Sequence, residues 1–245
     1  MYKNFLYRIL TKLSPNFDNY IVNKLKNKEL IKILDVGFYT GNFSKTLIKK
    51  INILNKNTKF IVFSFDPNKS LDLETFNNFA NKENVDWHHN DFALGNNKEL
   101  SDFTVLNAFP PSGSSLNNIL KDSFWYKTRK LIFSLFQNIK EEFSTYKVEV
   151  ETIDNQFKLD SNFNILKIDV EGYSLEVLSG AKEFIERNNL ILQVEILSHK
   201  KDFLSKEEEL LKFIYEYNYQ LIDKKRHYTS HFFSDVICVD YLFEK

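Results

Sequence analysis

Charged residues alternate with apolar ones in a segment that otherwise has the composition of a buried strand. Lys167, Asp169 and Glu171 are separated by Ile168 and Val170, so three charges gather at the carboxyl end of the predicted strand. Burying charge at this density is costly unless the groups pair with one another or serve a binding site. We therefore predict that these residues belong to a functional site, with a structural salt-bridge cluster as the alternative.

A glycine loop earlier in the chain has the spacing of a ligand-binding turn. Residues 31–36 form an apolar run that predicts a buried parallel strand, and helical periodicity begins at Asn42. Gly37 and Gly41 allow the backbone to turn and to approach a ligand closely. Asp35 ends the strand beside them, where ligands of open α/β sheets bind. A bare strand-turn-helix connection is the alternative.

The spacing of this loop differs from that of a dinucleotide-binding fingerprint. That fingerprint is G-x-G-x-x-G, whereas this chain has D-x-G-x-x-x-G, and Tyr39 stands where the second glycine belongs. Pyrophosphate requires that glycine for close approach of the backbone. The loop therefore argues against a dinucleotide.

Acidic residues also follow the next two predicted strands. Asp66 and Pro67 end the second strand, and Asp66 lies about 25 positions beyond the glycine loop, where a carboxylate can accept hydrogen bonds from a ribose diol. Capping of a following helix is the alternative for Asp66. Asp91 and Phe92 end the third strand, and a plain turn is the alternative there.

Two later segments place polar side chains where a substrate could bind. Ser114 and Ser115 belong to a loop that begins with two prolines and continues with glycine, and we predict that it closes over a substrate or else is a surface connection. Glu195 lies near the end of a further apolar strand, with His199 just beyond it. A solvated histidine is the alternative for His199.

Hydrophobic periodicity predicts an α/β protein. Strands are predicted over residues 31–36, 59–65, 85–89, 148–153, 165–170, 190–196, 219–222 and 235–243. Helices are predicted twice within residues 2–28, from residue 42, over residues 121–143, from residue 175 and over residues 204–217. Residues 93–106 alternate around a Gly-Asn-Asn turn and predict a hairpin where a helix would normally follow.

Length and composition limit the domain organisation. The chain has 245 residues and no Pro/Gly/Ser-rich linker, so we expect a single domain over residues 1–245. Residues 1–28 form an N-terminal helical cover in this prediction. Residues 96–147 form an insertion of hairpin, loop and helix that could act as a substrate lid.

Charge and cysteine content limit the partners and the compartment. The 33 basic residues are interspersed with 33 acidic ones, which gives no field that favours nucleic acid. The single cysteine, Cys238, excludes an internal disulfide and fits a reducing compartment. No uninterrupted apolar run approaches the length of a membrane span. We therefore expect a cytoplasmic protein without stable membrane insertion.

Several segments together resemble the FkbM family of methyltransferases. The motifs are DVGFYTGNFS (35–44), FDPN (65–68), ALG (93–95), SSL (114–116), VETID (150–154), KIDVEG (167–172), EVLSGA (176–181) and VE (194–195). KIDVEG with the trailing Gly-Ala is much more specific than the glycine loop. The chain departs from the family pattern at Phe38, where a small residue is usual, and at Asp66, where Glu is commoner. Residues 116–147 lie outside the motifs.

This resemblance implies a Rossmann-like class I methyltransferase fold, with a mostly parallel seven-stranded sheet, an antiparallel last strand and helices on both faces. It also implies O-methyl transfer from S-adenosylmethionine to a hydroxyl of a sugar, glycan or secondary metabolite. The implied cofactor-binding residues are Asp35, Gly37, Phe38, Tyr39, Gly41, Asp66, Pro67, Asp91 and Phe92. The implied substrate-binding residues are Ser114, Ser115 and Glu195.

The implied chemistry requires a base more than an electrophile. Methyl transfer is an in-line displacement on an already activated sulfonium, so the protein aligns the reactants and removes a proton. Asp169 is the first candidate for the base, with Glu171 and Lys167 shaping its charge and His199 as a reserve. Asp169, Glu171 and Glu195 could instead hold a divalent cation such as Mg²⁺, which we do not favour because no diagnostic ligand spacing is present.

Two other functions stay open from the sequence. One is a nicotinamide-dependent oxidoreductase on the same layered fold, against which Tyr39 argues. The other is a catalytically silent methyltransferase-like binding module. The sequence does not identify the acceptor, its regiochemistry, the oligomeric state or the role of residues 117–147.

Overall fold

Ten strands and seven helices are present in the computed structural model, which describes residues 17–106, 114–117, 143–160, 162–227 and 235–245. The strands are β1 (Leu30–Val36), β2 (Lys59–Phe65), β3 (Val85–Asn90), β4 (Ala93–Leu94), β5 (Glu99–Leu106), β6 (Phe143–Glu151), β7 (Ile165–Ile168), β8 (Ile191–His199), β9 (Gln220–Arg226) and β10 (Val236–Glu244). The helices are α1 (Asp18–Leu25), α2 (Asn42–Leu54), α3 (Glu74–Glu83), α4 (Ile153–Gln156), α5 (Ser174–Ser179), α6 (Lys182–Arg187) and α7 (Phe203–Glu216).

A seven-stranded sheet with the order β3-β2-β1-β7-β8-β10-β9 forms the centre of the fold. The neighbours from β3 to β8 are all parallel, whereas β10 runs antiparallel to both β8 and β9. The predicted class I methyltransferase fold, with its antiparallel last strand, is therefore confirmed.

Both faces of the sheet are buried because the central strands are apolar on both sides. Ile31 and Ile33 of β1 belong to a core shared with α1, α2 and α3. Leu34 and Val36 belong to the opposite core, which includes residues of α5, α6 and α7. Alternate residues of a strand point to opposite faces, so Asp35 lies on the same face as Ile33.

Residues 93–106 form two strands as predicted, but the hairpin prediction is wrong. β4 and β5 do not pair with each other, because both pair with β6 in a separate three-stranded sheet of order β4-β6-β5. The apolar side chains of Phe103, Val148 and Val150 pack with Ala93 in a small core of this sheet. The chain therefore reverses direction after β4, but it leaves room for β6 between β4 and β5.

Some predicted elements fall partly or wholly outside the described residues. The first N-terminal helix, residues 109–113 of the lid loop and residues 121–142 of the long helix are among them. Phe143, predicted at the end of that helix, instead begins β6. Within the described part of the chain, no helix has both the length and the apolar composition needed to span a membrane.

Tyr219 provides a test of the packing between β8 and α7. Its buried hydroxyl accepts a hydrogen bond from Leu190 N (3.2 Å) and donates to Asn188 O (2.8 Å). Burial raises the pKa of Tyr219 to about 12, as expected for a phenol that must stay protonated inside the protein.

We expect Tyr219→Phe to reduce the free energy of unfolding by about 1–3 kcal/mol, because it leaves a buried amide and a buried carbonyl without a partner. Tyr215→Phe is the matched control, since Tyr215 is 51 % exposed on α7, and it should change stability by less than about 0.5 kcal/mol. Urea unfolding followed by circular dichroism measures both. Equal stabilities for the two variants would contradict the prediction.

Candidate functional site

A cavity opens at the carboxyl ends of β1, β2 and β7, where open α/β sheets bind their ligands. It holds about 740 Å³ of empty space counted out to its open mouth. Its walls come from the glycine loop, residues 66–68, Ala93–Leu94, residues 114–116 and residues 169–171. Five segments that are distant in the sequence therefore meet at one place.

The glycine loop is held tightly between the ends of β2 and β7. Gly37 has φ +76°, and its N–H donates to Phe65 O at 2.9 Å. A Cβ atom on Gly37 would lie only 1.7 Å from the backbone oxygen of Asp169, so no other residue fits without moving β7. Tyr39 also has positive φ, at +50°. The glycine is therefore required for contact between backbones as well as for the turn.

Asp66 fixes the far side of the loop. Its Oδ2 accepts from Tyr39 N at 2.8 Å, and its Oδ1 accepts from Asn68 N at 3.0 Å. The capping alternative is wrong, because α3 begins only at Glu74. Burial raises the pKa of Asp66 to about 6, although the two backbone hydrogen bonds oppose this shift. Each carboxylate oxygen can still accept a further hydrogen bond from a ligand in the cavity.

A buried lysine links the ends of β1 and β7. Lys167 Nζ lies 3.2 Å from Asp35 Oδ1, 2.8 Å from Gly37 O and 3.5 Å from Asp169 Oδ2. Asp35 is fully buried, and its Oδ2 accepts from the hydroxyl of Ser44 at 2.7 Å. Lys167 is therefore in a buried salt bridge, but its nearest carboxylate is Asp35 and not the Asp169 or Glu171 of the predicted cluster.

Electrostatics separate the three charged groups of this link. Burial alone would lower the pKa of Lys167, but the charges of Asp35 and Asp169 outweigh it and raise the pKa. Burial raises the pKa of Asp35, and Lys167 opposes that shift. The side chain of Asp169 is 41 % exposed and lines the cavity, whereas that of Lys167 is only 7 % exposed. Asp169 is therefore the member of the group that a ligand can reach.

The turn after Asp169 is tied to the segment that carries the two predicted serines. The Ser115 hydroxyl lies 3.1 Å from Val170 O and 3.0 Å from Glu171 O, and it can donate to either. Asn117 Nδ2 donates to Gly172 O at 3.2 Å. Glu171 has φ +53°. Residues 114–117 therefore form a wall of the cavity that is fixed to the end of β7.

Eight of the predicted site residues line the cavity and eight do not. The lining residues are Gly37, Tyr39, Asp66, Pro67, Ser114, Ser115, Asp169 and Glu171. The others in the described structure lie elsewhere, and they are Asp35, Phe38, Gly41, Asp91, Phe92, Lys167, Glu195 and His199.

Aromatic packing explains the position of two of the residues outside the cavity. Phe38 is buried against Phe76 and Trp87, with ring centroids at 4.7 and 5.8 Å. A Cβ atom on Gly41 would lie 2.4 Å from the rings of both Phe38 and Phe76. Gly41 therefore makes room for this aromatic cluster, and Phe38 turns away from the cavity into the core.

The end of β3 also differs from the prediction. Asp91 is exposed, and the ring of Phe92 packs at 5.3 Å from Phe65. Ala93 and Leu94, the next two residues, line the cavity instead. The apolar wall is therefore displaced by one to two positions along the chain, to the residues that form β4 and pair with β6.

Sequence reasoning missed several lining residues. Asn68 and Tyr173 both line the cavity, and Tyr146 supports it by donating from its hydroxyl to Pro67 O at 2.8 Å. Asn68 could have been predicted from the sequence, because it lies two residues after Asp66 and just beyond the end of β2. No local signal identifies Tyr146 or Tyr173, because they reach the cavity only through the pairing of β6 and the turn after β7.

Comparison with known families and structures gave matches to methyltransferases. The family model described as "Methyltransferase FkbM domain" matches residues 35–221. A solved FkbM methyltransferase from Methylobacillus flagellatus KT is similar at 15% identity with a TM-score of 0.52, covering 95% of this chain and 49% of that chain. This chain therefore spans about half the length of that relative. No match was found among curated proteins.

Two other solved structures are similar at lower scores. Precorrin-6y C5,15-methyltransferase from Geobacter metallireducens GS-15 shares 12% identity with a TM-score of 0.40, covering 93% of this chain and 87% of that chain. TYW2 from M. jannaschii in complex with AdoMet shares 10% identity with a TM-score of 0.39, covering 96% and 80%. Likeness at these identities concerns the fold alone.

The Lys167 link yields a stability test. Lys167→Met leaves the Asp35 carboxyl buried without its cation, and we expect it to reduce the free energy of unfolding by about 3–5 kcal/mol. Adding Asp35→Asn removes the uncompensated charge, so the double variant should be more stable than Lys167→Met alone. Lys59→Met, at an exposed position that begins β2, is the control and should change stability by less than about 0.5 kcal/mol. Denaturant unfolding checks all three, and a double variant no more stable than Lys167→Met would refute the charge argument.

Proposed function

Because this chain belongs to the FkbM methyltransferase family, we propose that it transfers the methyl group of S-adenosylmethionine to a hydroxyl of a sugar, glycan or secondary metabolite. One observation carries the proposal. The cavity combines a glycine loop, an acidic end of β2 and a solvent-accessible carboxylate after β7. A nicotinamide-dependent oxidoreductase loses support, since the family model that matches the chain is that of a methyltransferase.

The chain's own residues fit the proposed cofactor. Asp66 lines the cavity and keeps lone pairs for the two hydroxyls of a ribose. Phe65 and Leu94 supply apolar surface beside it, which suits a purine ring. Gly37 lines the cavity, and its missing side chain lets the loop pack directly on the Asp169 backbone at the cavity edge.

S-adenosylmethionine supplies a methyl group bonded to a positively charged sulfur, which becomes a neutral thioether once the methyl group is transferred. The acceptor oxygen forms a bond to the methyl carbon as the carbon–sulfur bond breaks, and its proton must leave. Asp169 is our proposed base, because its carboxylate is exposed to the cavity and held by Lys167 Nζ at 3.5 Å. Lys167 is a positioning residue, since it does not line the cavity.

We propose that the acceptor binds against the wall formed by residues 114–116. Ser114, Ser115 and Leu116 face the cavity next to Asp169. The Ser115 hydroxyl is engaged with the turn at Val170 and Glu171, so it orders the wall. Ser114 and Glu171 also line the cavity, and we propose that they contact hydroxyls of the acceptor.

The pKa of Asp66 predicts how cofactor affinity depends on pH. The ionised carboxylate accepts hydrogen bonds from the ribose diol, and the protonated form loses acceptor capacity. With a pKa of about 6 in the free protein, we expect affinity for S-adenosylhomocysteine to be constant above pH 6 and to fall by up to about tenfold per pH unit below it.

Asp66→Asn should bind more weakly above pH 6, by about 1–3 kcal/mol, and should lose this pH dependence. Asp86→Asn is the control, because Asp86 is exposed on β3 and should retain the wild-type profile. Isothermal titration calorimetry measures both. A pH profile in Asp66→Asn that equals the wild-type profile would remove Asp66 from the binding site.

Asp169 gives a test of the chemistry separately from binding. Asp169→Asn keeps the shape but loses the base, so turnover should fall on the order of 10² to 10⁴-fold while affinity for S-adenosylhomocysteine changes little. Asp223→Asn, at an exposed position of β9, is the matched control and should keep wild-type turnover. Formation of S-adenosylhomocysteine with a panel of sugars and hydroxylated metabolites is the readout.

Two outcomes would count against these assignments. Near-normal turnover of Asp169→Asn on the best acceptor would exclude Asp169 as the base, and His199 would be tested next. Cofactor binding by the wild-type protein without turnover on any acceptor of the panel would favour the silent binding module.

A further inference from the structure

A second group of polar side chains lies beyond the cavity, on the part of the sheet formed by β8, β9 and β10. Glu195 of β8 is directly opposite Asp240 of β10, and Cys238 is two residues away from Asp240 on the same face. His227 follows β9, and its backbone N–H donates to the backbone oxygen of Cys238 at 3.0 Å. Three strands therefore bring a carboxylate, a thiol and an imidazole to one point.

The donor atoms of three of these residues have the spacing of a metal site. Cys238 Sγ lies 3.0 Å and His227 Nε2 3.9 Å from Glu195 Oε2. The three ligand atoms all lie within 4.8 Å of one another, the one such group found among the described residues. Zinc bonds of about 2.0–2.3 Å in a tetrahedron place neighbouring ligands roughly 3.3–3.8 Å apart, so only small shifts would admit the ion.

Glu195 gives an independent reason to expect that this cluster of side chains binds a ligand. The residue is only 6 % exposed, and its second oxygen, Oε1, is buried and makes no hydrogen bond with any residue that the structure describes. A buried unsatisfied carboxylate oxygen is costly. Because both oxygens belong to one carboxylate, a cation bound at Oε2 would also lie within reach of Oε1.

We propose that Glu195, His227 and Cys238 bind one divalent cation of the zinc class. Sulfur and imidazole ligands select zinc and related transition metals, whereas Mg²⁺ prefers oxygen ligands alone. The His227 side chain is 21 % exposed, which gives the ion a path from solvent. Asp240 Oδ2 pairs with His227 Nε2 at 3.1 Å, so an ion bound at Nε2 would take the place of this hydrogen bond.

This cation is distinct from the site of methyl transfer. None of its three ligands lines the cavity, and the ion would join β8 and β10 to the end of β9. Its main effect is therefore on the stability of this side of the sheet. The proposal does not depend on the proposed function, since the same ligands would bind the ion in a silent binding module.

Cobalt substitution tests the proposal with the wild-type chain. Cys238 is the single cysteine, so a thiolate-to-cobalt charge-transfer band in the near ultraviolet can come only from this residue. We expect untagged, reduced, chelator-treated protein to take up one Co²⁺, to show this band, and to lose the band when Zn²⁺ displaces the cobalt. Absence of the band, or its saturation at no defined stoichiometry, would overturn the proposal.

Ligand variants supply the second arm. His227→Gln and Glu195→Gln should each weaken Zn²⁺ binding by about 100-fold or more, since even residues that only support ligands cost 10–100-fold. His88→Gln is the matched control, because His88 lies at an exposed position of β3. This variant should bind Zn²⁺ as the wild type does. Zinc should raise the melting temperature of the wild type and of the control, but not that of His227→Gln. Unchanged cobalt spectra and affinity in a folded His227→Gln would refute the site.

Discussion

A buried ion pair is the constraint on which the rest of the structure depends. Lys167 and Asp35 are direct partners in the register of β1 and β7, and both side chains are almost completely shielded from water. Burying two charges is costly, and the geometry must recover that cost. The carbonyl of Gly37, which accepts from Lys167 Nζ, extends the pairing into the glycine loop. The sheet centre and the cavity edge are therefore fixed by one network.

This constraint explains why one segment of alternating charges has two roles. Lys167 is held inside the sheet, whereas Asp169, two residues later on the same face, reaches the cavity because β7 ends at Ile168. The end of β7 therefore separates a charge held inside the sheet from a charge that faces the cavity. Asp66 repeats the pattern at the end of β2, where one carboxylate holds the loop and also faces the cavity.

The same face of the sheet continues past the cavity into the Glu195 group. Asp35, Lys167 and Glu195 all alternate with the apolar residues of the opposite core. Close-packed apolar side chains cover most of this face around α1 and α2, but the polar row lies where those contacts end. Polar groups at such a boundary must pair or bind a ligand. Asp35 and Lys167 pair with each other, whereas the ligand of the Glu195 group is the cation that we propose.

Local sequence patterns predict which kind of element is present better than they predict where its side chains lie in the fold. The sequence correctly predicted the strands and the antiparallel last strand, because strand ends and glycine turns have local signals. Eight of the residues that it assigned to the site line the cavity. It placed Phe38 and Phe92 in the site, since it could not show that aromatic packing draws both rings into the core. It also predicted a hairpin for residues 93–106, because alternation identifies a strand without identifying its partner.

The fold class, the glycine loop and the charges at the strand ends can all be read from the amino-acid sequence. These follow from periodicity and from residue chemistry over short stretches of chain. The folded chain was needed to show that Asp35 pairs with Lys167, that β6 separates β4 from β5, and that His227 meets Glu195 and Cys238. Each of these depends on which strands become neighbours and in which register. That choice is made by burial summed over the whole sheet, and no short segment contains it.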